Sequence, residues 1–115
     1  MEIEQAASSV ADVTVFRLNG PFTLATMFPF QADLREPSVK GVIVDLSGVP
    51  YTDSAALGVL LDEWSHTQRN GFRYALVGTS SRVRTIFEIT HTDQVLPFFP
   101  TQADAESSFL SAATA

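Results

Sequence analysis

Three small polar residues, Thr52, Asp53 and Ser54, separate a predicted buried strand from a predicted apolar helix. Threonine, aspartate and serine are all favoured helix N-caps, and a carboxylate in the first turn interacts well with the helix dipole. A serine at the start of a helix can also carry a phosphate, because free backbone N–H groups point outward there. The triplet therefore leaves two interpretations open: helix capping alone, or a site that a partner protein reads or modifies.

Residues that could perform enzyme chemistry are sparse in the rest of the sequence. His66 and His91 fall in different predicted elements with no cluster of ligands around them, so we expect no metal site. The sequence has neither a phosphate-binding glycine loop nor the Gly-X-Ser-X-Gly motif of hydrolases. We therefore expect no enzyme activity and no cofactor. Nucleotide binding or weak hydrolysis is an alternative that direct nucleotide titration would test.

Asp45, at the end of a predicted strand, has the position of the phosphate-accepting aspartate of receiver domains. That chemistry also needs an acidic pair after the first strand and a lysine late in the chain. Here Asn19-Gly20-Pro21 follows the first predicted strand, and the only lysine is Lys40. We therefore expect Asp45 to hydrogen-bond the loop that follows it.

The composition limits the class of partner and the compartment. The 115 residues fit one domain, and the formal net charge of −6 argues against nucleic acids and anionic membrane surfaces. The absence of cysteine excludes disulfides and thiolate metal sites. The central apolar stretch, residues 55–61, is too short to span a bilayer, and the N-terminus lacks the features of a signal peptide. We expect a soluble cytoplasmic domain, without membrane insertion, that is a monomer or a weak homodimer.

Strand and helix patterns alternate along the chain, which is typical of an α/β domain with parallel strands. Strands are predicted over residues 13–18, 41–46, 72–77 and 94–99. Helices are predicted within residues 23–36, over 53–70, after Ser80 or Ser81, and after Thr101, the last burying Ala105, Phe109 and Ala112. A hairpin signal at Asn19-Gly20, followed by a short strand at Pro21-Phe22, would make the sheet mixed. We expect a mixed, mostly parallel sheet of four to five strands packed with about four helices. The core should span about residues 13–110, with short tails.

One face of the 53–70 helix is strongly apolar. The residues at i, i+3, i+4 and i+7, which we expect to pack on the sheet, are Leu57, Leu60, Leu61 and Trp64. The polar residues expected largely on the other faces are Asp62, Glu63, His66 and Arg69. Asn70-Gly71 should end the helix.

The segment VIVDLSGVPYTDSAALGVLL, residues 42–61, resembles the central motif of STAS domains. This family includes bacterial anti-sigma factor antagonists and the cytoplasmic tails of sulfate transporters. Its pattern is a strand ending in Asp-Leu-Ser, a short loop, and then Asp-Ser-Ser/Thr-Gly-Leu-Gly with aliphatic residues. Asp45-Leu46-Ser47, Asp53-Ser54 and Leu57-Gly58 match in order and spacing. Residues 82–87 and 95–99 are also similar to the family pattern, so the resemblance covers about residues 13–109.

The resemblance implies a partner-switching function. In such antagonists, an anti-sigma factor that is also a serine kinase phosphorylates the serine that aligns with Ser54, and the modified antagonist is released. The residues that the resemblance and the predicted loops assign to the partner surface are Thr23, Tyr51, Thr52, Asp53, Ser54 and Ala55. The alternative is a STAS adaptor that is not phosphorylated, in a stressosome-like scaffold or a lipid or anion transporter complex.

Two departures from the family pattern bear on this choice. Ala55 and Ala56 replace the second hydroxyl residue and the glycine of the motif. Thr23 stands where many antagonists have an aspartate that helps kinase recognition, and the preceding Gly20-Pro21-Phe22 is more similar to transporter-associated members. These departures weaken the expectation that a kinase phosphorylates the protein more than they weaken the expected fold.

Overall fold

Five strands and four α-helices make up the part of the chain that the computed structural model describes, which is the backbone of residues 1–114 and the side chains of residues 1–111. In chain order they are β1 (Glu2–Ala7), β2 (Val13–Asn19), α1 (Met27–Leu34), β3 (Gly41–Gly48), α2 (Ser54–Asn70), β4 (Tyr74–Val77), α3 (Ser81–Ile89), β5 (Phe98–Phe99) and α4 (Gln102–Thr114). A short 3₁₀ turn, Thr92–Gln94, follows α3. Along residues 1–114, every helix is too short or too polar to cross a bilayer.

The strands form one mixed sheet in the order β1-β2-β3-β4-β5. β1 is antiparallel to β2, whereas β2, β3, β4 and β5 run parallel to one another. The predicted mixed and mostly parallel sheet is therefore confirmed. β5 has only two residues, fewer than the predicted 94–99, because the 3₁₀ turn and Pro97 occupy the preceding positions.

The antiparallel strand comes from a different segment than the sequence indicated. The predicted hairpin at Asn19-Gly20 is wrong: Gly20, at φ 111°, donates its N–H to the carbonyl oxygen of Gly48 on β3, 2.9 Å away. β1 pairs with β2 instead, so the N-terminal segment expected as a tail is an edge strand. Its sequence, EIEQAA, is polar and largely exposed, so it lacks the apolar alternation that reveals a strand.

Alternating residues of the strands face two cores. On one face, Phe16, Val44 and Leu76 pack with α1, α2 and α3. On the other face, Val15 and Ile43 pack with α4 through the buried residues Ala105 and Phe109, as predicted. The side chain of Ala112, also predicted to be buried, lies outside the described residues. The C-terminal tail expected after residue 110 is helical as far as Thr114, and Ala115 is outside the described residues.

The helix that follows the polar triplet has the predicted ends but a rotated buried face. Asp53 is its N-cap, and Gly71, at φ 68°, ends it in a left-handed conformation. Leu57 and Leu60 are buried as predicted, whereas Leu61 and Trp64 are only partly buried at the edge of the core. The complete set of buried α2 residues is Ala56, Leu57, Val59, Leu60, Glu63 and Thr67. The expectation that Glu63 lies largely off the buried face is therefore wrong, because Glu63 shares the helical face of Ala56, Val59 and Thr67 at i, i+3, i+7 and i+11.

Candidate functional site

Two loops meet at the carboxyl ends of the parallel strands β2 and β3. The N–H of Phe22, in the loop after β2, donates to the carbonyl oxygen of Tyr51, in the loop after β3, at 3.1 Å. Phe22 also forms an isolated parallel bridge with Thr52, which is all that forms of the short strand predicted at Pro21-Phe22. The Phe22 ring is fully buried and packs edge-on against Phe30 of α1, with ring centroids 5.6 Å apart. The contact between the two loops is thus anchored in the core.

Asp53 ties the two loops together through its carboxylate. Its Oδ1 accepts a hydrogen bond from the backbone N–H of Ala56 at 2.9 Å, as an N-cap does. Its Oδ2 accepts one from the backbone N–H of Leu24 at 3.0 Å. These hydrogen bonds, led by Ala56 and followed by Leu24, hold the pKa of the Asp53 carboxyl below its usual value. Asp53 is therefore a helix cap and an inter-loop clasp at the same time.

Ser54, the first residue of α2, is exposed to solvent beside this clasp. Of the other predicted site residues, Tyr51 is exposed, while Thr23, Thr52, Asp53 and Ala55 are half-buried. The hydroxyl of Thr52 is buried and has no hydrogen-bond partner among the residues whose side chains the structure describes. Ser54 is thus the more accessible of the two hydroxyl groups in the triplet.

Thr23 lies in a tight turn that leads into α1. Its N–H donates to Thr26 Oγ1 at 2.9 Å, and Thr26 Oγ1 donates in turn to the carbonyl oxygen of Pro21 at 2.8 Å. The carbonyl oxygen of Thr23 accepts from the N–H groups of Thr26 and Met27. This position next to Leu24 brings Thr23 to the clasp, with a hydroxyl side chain in place of a carboxylate.

Exposed apolar residues lie on the segment that the clasp holds, and the sequence interpretation did not assign them to the site. Leu24 is 55% exposed, and Phe28 is 57% exposed one turn further along the chain. Tyr51, which was predicted, is 42% exposed, and the guanidinium carbon of Arg82 lies 5.3 Å from the centre of its ring. No helical periodicity marks Leu24 and Phe28, because Leu24 lies in the turn before α1. No local pattern marks Arg82, because it comes from α3.

Asp45 lies near the carboxyl end of β3 and makes a hydrogen bond within that strand. Its Oδ1 accepts this bond from the backbone N–H of Ser47 at 2.9 Å, and because β3 extends to Gly48, the expected bond to the following loop goes to a strand residue instead. Its Oδ2 lies 3.7 Å from Nε of Arg17 on β2. Both charges belong to the sheet and stay outside the clasp.

Comparison with known proteins identifies the family. The family model described as the STAS domain matches residues 5–105, which is most of the chain. The chain belongs to the STAS domain family. The fold, a five-stranded mixed sheet with four helices in the described residues, matches that of solved STAS domains, so the predicted fold and family are confirmed.

Several solved structures share this STAS fold with the chain. One is a putative anti-sigma factor antagonist of Thermotoga maritima, with 20% identity, a TM-score of 0.83 and 92% of each chain covered. An anti-sigma factor antagonist of Mycobacterium paratuberculosis has 20% identity and a TM-score of 0.77, with 93% of each chain covered. The phosphorylated form of the Bacillus cell fate determinant SpoIIAA has 14% identity and a TM-score of 0.71, with 93% of this chain and 99% of that chain covered. At identities this low, the structural likeness shows a shared fold and nothing more.

Proposed function

We propose that this STAS domain is an anti-sigma factor antagonist that binds an anti-sigma factor with serine-kinase activity, and that phosphorylation of Ser54 ends the binding. The observation that carries the proposal is the exposed Ser54 hydroxyl directly beside the Asp53 clasp. The resemblance of residues 42–61 to the antagonist motif supports it. A switch of this kind requires ATP and transcription proteins, so we expect it to act in the cytoplasm.

The main effect of phosphorylation at Ser54 would be on the charge where the two loops meet. A phosphate adds about −1.5 to −2 charges at neutral pH. On Ser54 it would stand next to the Asp53 carboxylate and compete with it for the N–H groups at the start of α2. Repulsion between the two anions would weaken the hydrogen bond that Asp53 accepts from Leu24. The domain would remain folded, because Ser54 is exposed and belongs to neither core.

The partner surface that we propose combines the clasp with the exposed apolar side chains of Leu24, Phe28 and Tyr51. Aromatic residues such as Phe28 and Tyr51 are enriched in protein interfaces, and tyrosine is among the residues that provide most of their binding energy. A dianion buried beside them without a counter-charge would be strongly unfavourable. Binding by the unmodified protein and release of the phosphorylated protein follow from this arrangement.

Thr23 favours the second candidate, a STAS adaptor that works without phosphorylation in a stressosome-like scaffold or a lipid or anion transporter complex. The N–H of Thr23 is held by Thr26 Oγ1, and its side chain offers a hydroxyl where many antagonists offer a carboxylate to the kinase. The same apolar surface would then bind its partner constitutively.

The test is to incubate the protein with ATP and each serine kinase encoded by neighbouring genes. Intact mass and peptide mapping would then locate the phosphate. We expect one phosphate, which is lost in Ser54→Ala and kept in Thr52→Ala. A phosphate on Thr52 instead would move the switch by two residues. No phosphate from a kinase that is active on a control substrate, together with stable binding of that kinase, would replace the antagonist proposal with the adaptor.

A further inference from the structure

A cavity of about 410 Å³ lies between α1, the segment 35–39 and the middle of α2. Its position is separate from the clasp, because Glu63 in its wall follows Ser54 by nine residues, or about 13 Å along a helix axis. The apolar part of its wall consists of Leu34, Pro37, Val39, Val59 and Phe72. The volume of this cavity lies within the range of small-molecule sites.

Glu63 is the unusual residue in this wall. It is only 6% exposed, and its Oε1 has no hydrogen-bond partner among the side chains of residues 1–111. The hydroxyl of the neighbouring Tyr74 donates to the carbonyl oxygen of Leu60 at 2.9 Å, so this hydroxyl does not donate a hydrogen bond to Glu63. A buried carboxyl without a partner costs free energy, which a bound donor would recover.

Both acidic and basic side chains line the cavity around Glu63. The charged and titratable groups that line the cavity with Glu63 are Arg35 and Glu36 after α1 and Asp62, His66 and Arg69 on α2, and Glu63 also acts electrostatically on the buried Tyr74 of β4. Arg35 is within 3.9 Å of Asp62, so these two side chains compensate each other. Burial, and secondarily Asp62, raise the pKa of Glu63 to about 7, while Arg35 opposes the rise. Near neutral pH, a cation beside Glu63 would complete its ionisation.

We propose that this cavity binds a small primary ammonium compound with a short apolar chain, held by the carboxyl group of Glu63. The ammonium group donates hydrogen bonds to the carboxylate, and either oxygen is available through the broad terminal torsion of glutamate. The apolar chain packs against Leu34, Val39 and Phe72. An anion would be repelled by the ionised form of Glu63, and a neutral molecule would favour its protonated form, whereas an ammonium group binds the ionised form.

Titration of the isotope-labelled full chain with butylammonium, followed by NMR of its backbone amides, tests this proposal. Butanol and butyrate are the neutral and anionic probes of matched size. We expect saturable shifts around the cavity with butylammonium, and weaker binding by about 10-fold or more in Glu63→Gln, the loss typical of a charge-assisted hydrogen bond. Glu88→Gln, which removes a carboxylate from an exposed position on α3, should bind like the wild type.

The pH dependence supplies a second readout. Because the cation needs ionised Glu63, its affinity should fall between about pH 8 and about pH 6, and Glu63→Gln should remove most of this fall. His66→Gln separates any contribution of the imidazole. Equal binding of butanol and butylammonium, unchanged affinity in folded Glu63→Gln, or no shifts at a concentration on the order of 10 mM would each overturn the proposal.

Discussion

Oδ2 of Asp53 accepts a hydrogen bond of 3.0 Å from the backbone N–H of Leu24, a residue 29 positions earlier in the chain. The other oxygen of the same carboxylate caps α2 through Ala56. One side chain thus fixes the start of a helix relative to a neighbouring loop. A charge added next to Asp53 acts on both, which is the physical basis of the proposed switch.

Replacement of Asp53 by alanine should destabilise the domain by about 0.5–2 kcal/mol, the usual cost of losing an N-cap. The loss of the bond to Leu24 places the expected value in the upper half of that range. Chemical denaturation measures the effect. Asp53→Asn is the matched control, because asparagine caps almost as well, and it should cost less. Equal stability of wild type and Asp53→Ala would contradict the role of Asp53 as a clasp.

The lowered pKa of Asp53 leads to a second prediction, which concerns the pH dependence of stability. Because the folded-state pKa lies below the usual 3.8, ionised Asp53 stabilises the fold at higher pH. This stabilisation should be present above the usual pKa and be lost as the pH falls through the lower folded value. Comparison of wild type with Asp53→Asn in denaturation experiments at acidic pH isolates it. An NMR titration of the Asp53 carboxyl at or above 3.8 would refute the prediction.

The contribution of Glu63 to stability should have the opposite pH dependence to that of Asp53. Its pKa rises from 4.5 to about 7 in the folded state, so its contribution is most favourable below 4.5 and is lost as the pH rises through 7. This difference corresponds to at most about 3 kcal/mol of linked stability. Glu63→Gln should therefore gain stability relative to wild type as the pH increases. A pH-independent difference between the two proteins would show that Glu63 titrates normally.

Local sequence signals predicted the helix start at Asp53 and its end at Gly71, because capping and left-handed glycine are encoded by a few adjacent residues. The bond between Asp53 and Leu24 could not be predicted from a local pattern, since it joins two loops. The burial of Glu63 was also missed. The four large apolar residues of α2 defined one face, whereas packing selected a face that includes smaller residues.

The exposed apolar residues predict where a partner binds. Leu24→Ala and Phe28→Ala should each weaken partner binding by about 1–2 kcal/mol, as truncation of an interface residue does. Stability should change little, because both side chains are more than half exposed. Leu110→Ala is the matched control, since Leu110 is 54% exposed on α4, at the opposite face of the sheet. Isothermal titration with the partner measures the affinities. A larger loss in Leu110→Ala would move the interface to α4.

Charge at Ser54 is the direct test of the switch. Ser54→Asp should weaken binding of the anti-sigma factor by about 10-fold or more, because an anion enters the interface beside Asp53. Ser54→Ala should bind constitutively and resist release by ATP and the kinase. Both variants should unfold at nearly the wild-type temperature, since Ser54 is exposed at the helix start.

Ser107→Asp provides the matched control for this substitution. Ser107 is exposed on α4, so the variant adds the same charge on the other face of the sheet. It should bind the partner like the wild type, because α4 packs on the opposite face of the sheet from α1 and α2, and salt screens exposed charges over about 8 Å. If Ser107→Asp and Ser54→Asp weakened binding equally, the effect would come from net charge. If neither variant changed the affinity, the partner would bind away from Ser54, and phosphorylation there could not act as the switch.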